Sequence, residues 1–308
     1  MRFWVISIFL ALFAVTPGTP VAADKATYVD LARLGWNYQL RTTMIGRDMS
    51  IPIRIHGRDL AGASLCIVGE QPHPHSLATI NAFRDLSEHV FGKPLTMRHA
   101  GNDASGCGSG RTVVLRLYSG HPPHRALSSD LSWMNQIYEL GLPERRQYSV
   151  SSPAMAQTFF GRRGQGTHIM VKQPARARPG TLEAAFYKSI LVEELFQSFT
   201  FGMDILLFDP NAGFQSKLQE TPLRMDRLSW ESSDFMRAML RSNPAGLCAF
   251  DVFMMHAVAQ TSVDQTVDPL FIDFIDREYE ALLAQAEVTM ADDRFAAVLA
   301  PGCQRSPI

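Results

Sequence analysis

The sequence predicts an α+β fold, on three observations. Strand-like and helix-like stretches mingle from residue 24 to about 200, and helical stretches dominate from 201 to 308. Between them lies one helix that is apolar around nearly its whole circumference. The expected elements run in order. A helix is expected over 27–40. Isoleucines at 51, 53 and 55 alternate as in a half-buried strand over 49–56, where Pro52 suits a sheet edge or a strand start. A strand at 64–68 leads through Pro72-His73-Pro74-His75 to a helix at 77–91. The glycine- and serine-rich stretch 101–110 precedes a strand at 112–118, and a helix follows at 129–140. Strands at 156–160 and 167–172 flank a glycine-bearing turn, which predicts a hairpin. The apolar helix spans 181–199, and further helices are expected at 232–240, 247–261, 270–286 and 292–299. There is no internal repeat. One domain over 24–308 is expected, with a sheet-containing part (24–200) and a mainly helical part (201–308).

The first 23 residues stand apart. Arg2 supplies a positive charge, residues 3–15 are apolar except for Ser7, Pro17 and Gly18 break the run, and Val21-Ala22-Ala23 places small residues before Asp24. Signal peptidase reads that order, so residues 1–23 are expected to be cleaved and the remainder exported. An apolar run of roughly 13 residues is too short for a hydrocarbon core that needs about 20, which predicts no membrane span after cleavage. A formal net charge of −1 gives no reason to propose nucleic acid as a partner. Four cysteines, Cys66, Cys107, Cys248 and Cys303, with no CxxC pair, favour disulfides over a thiolate metal site in an exported chain. Three pairings are open. Cys66–Cys107 and Cys248–Cys303 are preferred because each joins neighbouring parts of the chain.

The helix at 181–199 calls for an explanation. Ile190, Leu191, Val192, Leu195, Phe196 and Phe199 make it apolar on all sides, yet it carries Glu193, Glu194 and Gln197. Glu193 and Gln197 stand four residues apart and share a face. An unpaired carboxylate buried there costs on the order of several kcal/mol, so it must meet a cation, donor groups or a water-filled cleft. The run Glu193-Glu194-Leu195-Phe196-Gln197 also lies on the HExxH pattern with both histidines replaced. In that pattern the outer pair hold zinc, and the glutamate between them is the base that activates water. Glu193 and Gln197 offer oxygen, which suits a divalent cation such as calcium or magnesium better than zinc. Asp204, just past a helix end at Gly202, can turn back towards them, and Glu194 falls at the position of the base. His168 and His256 are candidate supporting residues; His256, in an apolar run, reads by default as a satisfied core histidine, and a hydrogen bond from it to Glu193 is the alternative that would explain the buried acid without a metal.

The order of elements resembles the catalytic half of a zincin-type peptidase, with a backing helix, a mixed sheet, an edge strand at 168–171, a central buried helix and a helical C-terminal lobe. More specifically, Ile51-Pro-Ile-Arg-Ile55, Glu193-Glu-Leu-Phe-Gln197 with Asp204, Phe214-Gln-Ser-Lys-Leu218 and Asn243-Pro-Ala-Gly-Leu-Cys-Ala-Phe-Asp251 resemble a family of secreted bacterial proteins, domain of unknown function 2927, over roughly residues 45–260. The resemblance implies the fold and a periplasmic or secreted location. Against true zincins both histidine positions fail, which implies a pseudoenzyme. The leading expectation is therefore a non-catalytic protein that binds a ligand or a partner protein beside this helix. The alternatives are a metal-dependent, peptidase-like hydrolase with oxygen ligands, and a purely structural envelope protein.

Overall fold

The computed structural model describes residues 24–37, 63–174, 180–209, 211–223, 228–300 and 302–303. The leader, the strand expected at 49–56 and the end of the helix expected at 27–40 lie outside them. The described part is an α+β fold built on a five-stranded mixed sheet of order β2-β1-β3-β5-β4. Its strands are β1 (Ser64–Gly69), β2 (Met97–His99), β3 (Thr112–Tyr118), β4 (Ala154–Gly161) and β5 (Gly164–Lys172). β2, β1, β3 and β5 run parallel, and β4 closes one edge antiparallel to β5.

β1 and β3 read as nearly continuous apolar runs because the sheet is covered on both faces. Leu65, Ile67, Val113, Leu115, Ile169 and Val171 point into the larger core. Cys66, Val68, Val114, Tyr118 and Met170 point into a smaller one beneath helix α3 (His124–Tyr138). The larger core is filled by α1 (Lys25–Trp36), α2 (Pro74–Phe91), α4 (Leu182–Thr200), α6 (Ala249–Gln260) and α7 (Pro269–Met290), with α5 (Ser233–Ser242) against α4. Phe83 of α2 meets Phe199 of α4 at 5.6 Å between ring centres, and Trp36 of α1 meets Phe196 at 6.3 Å. Tyr28 of α1 packs edge-on against Phe250 and Phe253 of α6 and Tyr279 of α7. No described helix is long and apolar enough to cross a membrane.

The ends of the elements follow the residues placed there. Asp24 caps α1 by accepting from the Thr27 amide at 2.8 Å, and Pro74 stands at the start of α2. Gly92 ends α2 with φ 67°, a conformation that other residues resist. The hairpin closes tightly on α3: a Cβ at Gly161 would lie 1.9 Å from the Tyr138 carbonyl oxygen, so only glycine fits.

Two expectations are corrected. β5 is an interior strand between β3 and β4, so the sheet edge expected at 168–171 belongs to β4. The helix expected at 292–299 is only a short 3-10 turn, Asp293–Phe295, after which Val298 and Leu299 bend inward to bridge Leu247. The disulfides are Cys66–Cys107 and Cys248–Cys303, closing separations of 41 and 55 residues. They fit an oxidising, extracytoplasmic environment. Each restricts the unfolded chain, so a Cys248→Ser/Cys303→Ser variant is expected to lose about 2–4 kcal/mol in a denaturant titration. A variant with the parent midpoint and slope would contradict this.

Candidate functional site

Helix α4 starts at Thr181, whose hydroxyl accepts from the Ala184 amide at 3.2 Å, and it ends where Phe201 turns left-handed at φ 58°. The Trp36 indole donates to the carbonyl of Thr200 at 2.8 Å and fixes this end. Gly202 follows because a side chain there would collide with Leu218 at 2.5 Å and Trp36 at 2.7 Å. The chain can therefore double back. β6 (Ile205–Leu206) then pairs in parallel with β7 (Gln219–Glu220), which brings Asp204 and Glu220 beside α4.

Glu193, Glu194, Gln197, Asp204 and Glu220 line one cleft of about 560 Å³, with Ala154 of the edge strand on its rim. Leu228, Trp230, Phe235 and Met239 form its apolar wall. Carboxylate oxygens of Glu193, Asp204 and Glu220 lie within 4.8 Å of one another. The Gln197 amide donates to Asp204. The three residues that the sequence grouped, Glu193, Gln197 and Asp204, thus share a single cleft. Glu194 also faces it.

What satisfies Glu193 is a buried lysine. Lys217 is fully buried, and its ammonium lies 3.2 Å from Glu193 Oε2. It also donates to Ser189 Oγ at 3.0 Å, to the Pro244 carbonyl at 2.8 Å and to Asn243 Oδ1. The Asn243 amide reaches Glu193 Oε1 at 3.3 Å and the Lys217 carbonyl at 2.7 Å. Asp251, near the start of α6, holds the segment carrying the lysine: it accepts from Ser216 Oγ at 2.6 Å and from the amides of Lys217 and Cys248, each at 2.7 Å. An interior ammonium without such acceptors would be too costly to keep charged.

Neither candidate supporting histidine takes part. His168 lies on the opposite face of the sheet, where its Nε2 is 2.9 Å from Asp130 Oδ2. There Asp130 also receives two hydrogen bonds from Arg116, at 2.6 and 2.7 Å. Burial pushes Asp130 up, but His168 and Arg116 outweigh it and hold the carboxyl low. His256 bonds to Thr289 at 2.9 Å, as a satisfied core histidine, so the alternative bond to Glu193 is not made and Lys217 and Asn243 meet that carboxylate instead.

The cleft carries more acid than its lysine can balance. Burial raises Glu193 despite the neighbouring Lys217. Burial, reinforced by Glu193 and Asp204, raises Glu194 well above the usual carboxylate range. Burial also raises Asp204 against the Gln197 hydrogen bond. Glu220 is pushed up to about 8, by burial and then by the charges of Glu193 and Asp204. A carboxylate oxygen of Glu193 lies within 4.8 Å of one of Glu220, so a charge on Glu193 favours a proton on Glu220. No protein-family model, curated protein or solved structure matches the chain.

A carboxyl raised in the folded state binds its proton more tightly there than in the unfolded chain. Its stabilisation is full at low pH and is lost as pH rises through the folded value. Glu220 at about 8 and Asp251 at about 7, the latter raised by burial, both act this way. His256, depressed to about 4 by burial, works in the opposite direction, but only below its ordinary value of 6.5. The melting temperature of the ligand-free protein is therefore expected to fall between about pH 6.5 and pH 8, and Glu220→Gln to flatten that fall. A melting temperature that rises across this window would contradict the protonated cleft.

Proposed function

We propose that this is an exported, non-catalytic binding protein whose acidic cleft receives an organic cation, an ammonium or guanidinium group of a ligand or partner protein. The observation that carries this reading is the charge imbalance: four carboxyl groups, Glu193, Glu194, Asp204 and Glu220, face one cleft whose buried ammonium, Lys217, is already held by Ser189, Asn243 and Pro244. A second positive charge would replace protons in the cleft and meet Asp204 and Glu220 at its open side. The apolar wall favours an organic body over a bare ion, and the Trp230 indole suits a cation stacked on its face. Both oxygens of Glu193 are already committed, one to Lys217 and one to Asn243, which weakens it as a metal ligand.

The export signal, the resemblance to domain of unknown function 2927 and a zincin-like layout belong to the same proposal. In that layout α4 stands where a peptidase carries its zinc helix, with Glu193 and Gln197 in place of the two histidines. The edge strand beside the cleft is β4. A second reading, a metal-dependent hydrolase, draws on the closeness of the Glu193, Asp204 and Glu220 oxygens, with a divalent cation between them and Glu194 as base.

Titration calorimetry with spermidine and a lysine-rich peptide, against calcium and magnesium, separates the two. The proposal expects amine binding that releases protons at pH 7 and weakens at least about tenfold in Glu220→Gln, as loss of one charge-assisted contact should. Stoichiometric metal binding without amine binding would transfer the case to the hydrolase, whose turnover Glu194→Gln should then abolish.

A further inference from the structure

A second cleft lies on the far side of the sheet, over α3. After α3 the chain arches back across its own helix and is pinned at two points. Asn135 holds one end: its Oδ1 accepts from the Leu142 amide at 2.9 Å, and its Nδ2 donates to the Leu142 carbonyl at 3.2 Å. Ser128 holds the other, accepting from the Tyr148 amide at 2.8 Å. Between these pins, residues 143–147 and the facing residues of α3 line a cleft of about 1070 Å³.

The lining is basic. Arg125 comes from α3, and Arg145 and Arg146 come from the arch, against a single acid, Glu144. Among the described residues none of these three arginines forms an ion pair, whereas Arg116 and Arg163 do. Arg145 sits at φ 58°, a left-handed conformation that a non-glycine side chain adopts at some cost. Arg146 lies over the Tyr148 ring at 5.6 Å, which orients one guanidinium. The rest of the lining is mostly hydroxyl and amide, notably Ser129, Ser132, Gln136 and Gln147, with the half-buried Trp133 indole, Leu131, Leu142 and Pro143 as its apolar part. The Tyr148 hydroxyl is buried without a hydrogen-bond partner among the described residues.

We propose that this arch forms a second binding site, which takes an acidic carbohydrate: a polyhydroxylated chain bearing carboxylate or sulfate groups. Three guanidinium groups recognise the anions with paired hydrogen bonds. Serine hydroxyls and glutamine amides match sugar hydroxyls, and the indole offers a flat apolar face to a pyranose ring. A lining in which polar side chains outnumber apolar ones suits a ligand that is mainly polar with some apolar faces, as a sugar is. A purely apolar ligand would leave the arginines desolvated and unpaired.

The test uses oligogalacturonate and dextran sulfate as probes, with neutral dextran and poly-aspartate as controls, followed by tryptophan fluorescence and calorimetry on the purified protein. The carboxylated or the sulfated sugar should bind and release with rising salt. Arg145→Gln/Arg146→Gln should weaken binding by at least about tenfold. Ser132→Asp, at an exposed helical position, should weaken it without lowering the melting temperature. Glu220→Gln, in the other cleft, should leave it unchanged. Which of the two sugars binds more tightly identifies the anion. The proposal is overturned if neither acidic sugar binds, if the arginine and serine variants bind as the parent does, or if poly-aspartate or neutral dextran binds as tightly.

Discussion

The ammonium of Lys217 is the point on which the interior depends. It sits fully buried among Glu193, Ser189, Asn243 and the Pro244 carbonyl, so it ties α4 to the segment after β6 and to the approach to α6. Asp251 extends the link, since one carboxylate fixes the backbone of Lys217 and also caps α6 beside the Cys248–Cys303 disulfide. A buried ion pair of this kind adds little net stability over a well-packed apolar substitute, but it penalises any arrangement that separates the charges. It therefore selects one packing of α4 against its neighbours. That packing sets Gln197 towards Asp204 and opens the cleft.

The cleft is a consequence of the same arrangement. The lysine satisfies Glu193, yet the chain reversal at Gly202 and the short β6–β7 pair deliver Asp204 and Glu220 to the same place. Like charges so close cannot all ionise in a partly dry site, so some remain protonated until a positive charge arrives. Binding and proton release are then two readings of one event. The arch over α3 presents the converse, three arginines without carboxylate partners among the described residues. The sheet thus separates two clefts of opposite sign, with the Arg116–Asp130–His168 cluster buried between the sheet and α3.

Much of this was legible in the sequence, for physical reasons that can be named. Helix α4 announced itself because an all-apolar helix with two glutamates must bury a polar site, and Gly202 marked the turn that returns Asp204. The strands β1, β3 and β5 showed their apolar character, and both disulfides joined neighbouring parts of the chain. Lys217 and Glu220 were not legible as site residues. They lie in short segments without period, and lysine is among the residues least often fully buried. A signal did exist: the 214–218 and 243–251 stretches stood out alongside the Glu193 helix, and these are the segments that meet in the network. The partner of Glu193 was left open by the sequence: His256 read by default as a satisfied core histidine, and Thr289 does satisfy it, while the lysine that meets Glu193 lies in a segment without period. The edge strand was misplaced because it followed from the zincin-like order of elements, and order along the chain does not fix which strands are neighbours in the sheet. The basic arch was missed because its arginines are scattered between positions 125 and 146, and only folding brings them together.

The most direct test of the central interaction is a double-mutant cycle on Lys217→Met and Glu193→Gln, followed by denaturant unfolding at pH 7. Each single change strands a buried charged or polar partner, so each should cost about 3–5 kcal/mol. The double change removes both charges and should cost less than the two singles combined, leaving a coupling of at least about 1 kcal/mol. Strictly additive losses, or a Lys217→Met variant as stable as the parent, would contradict the account.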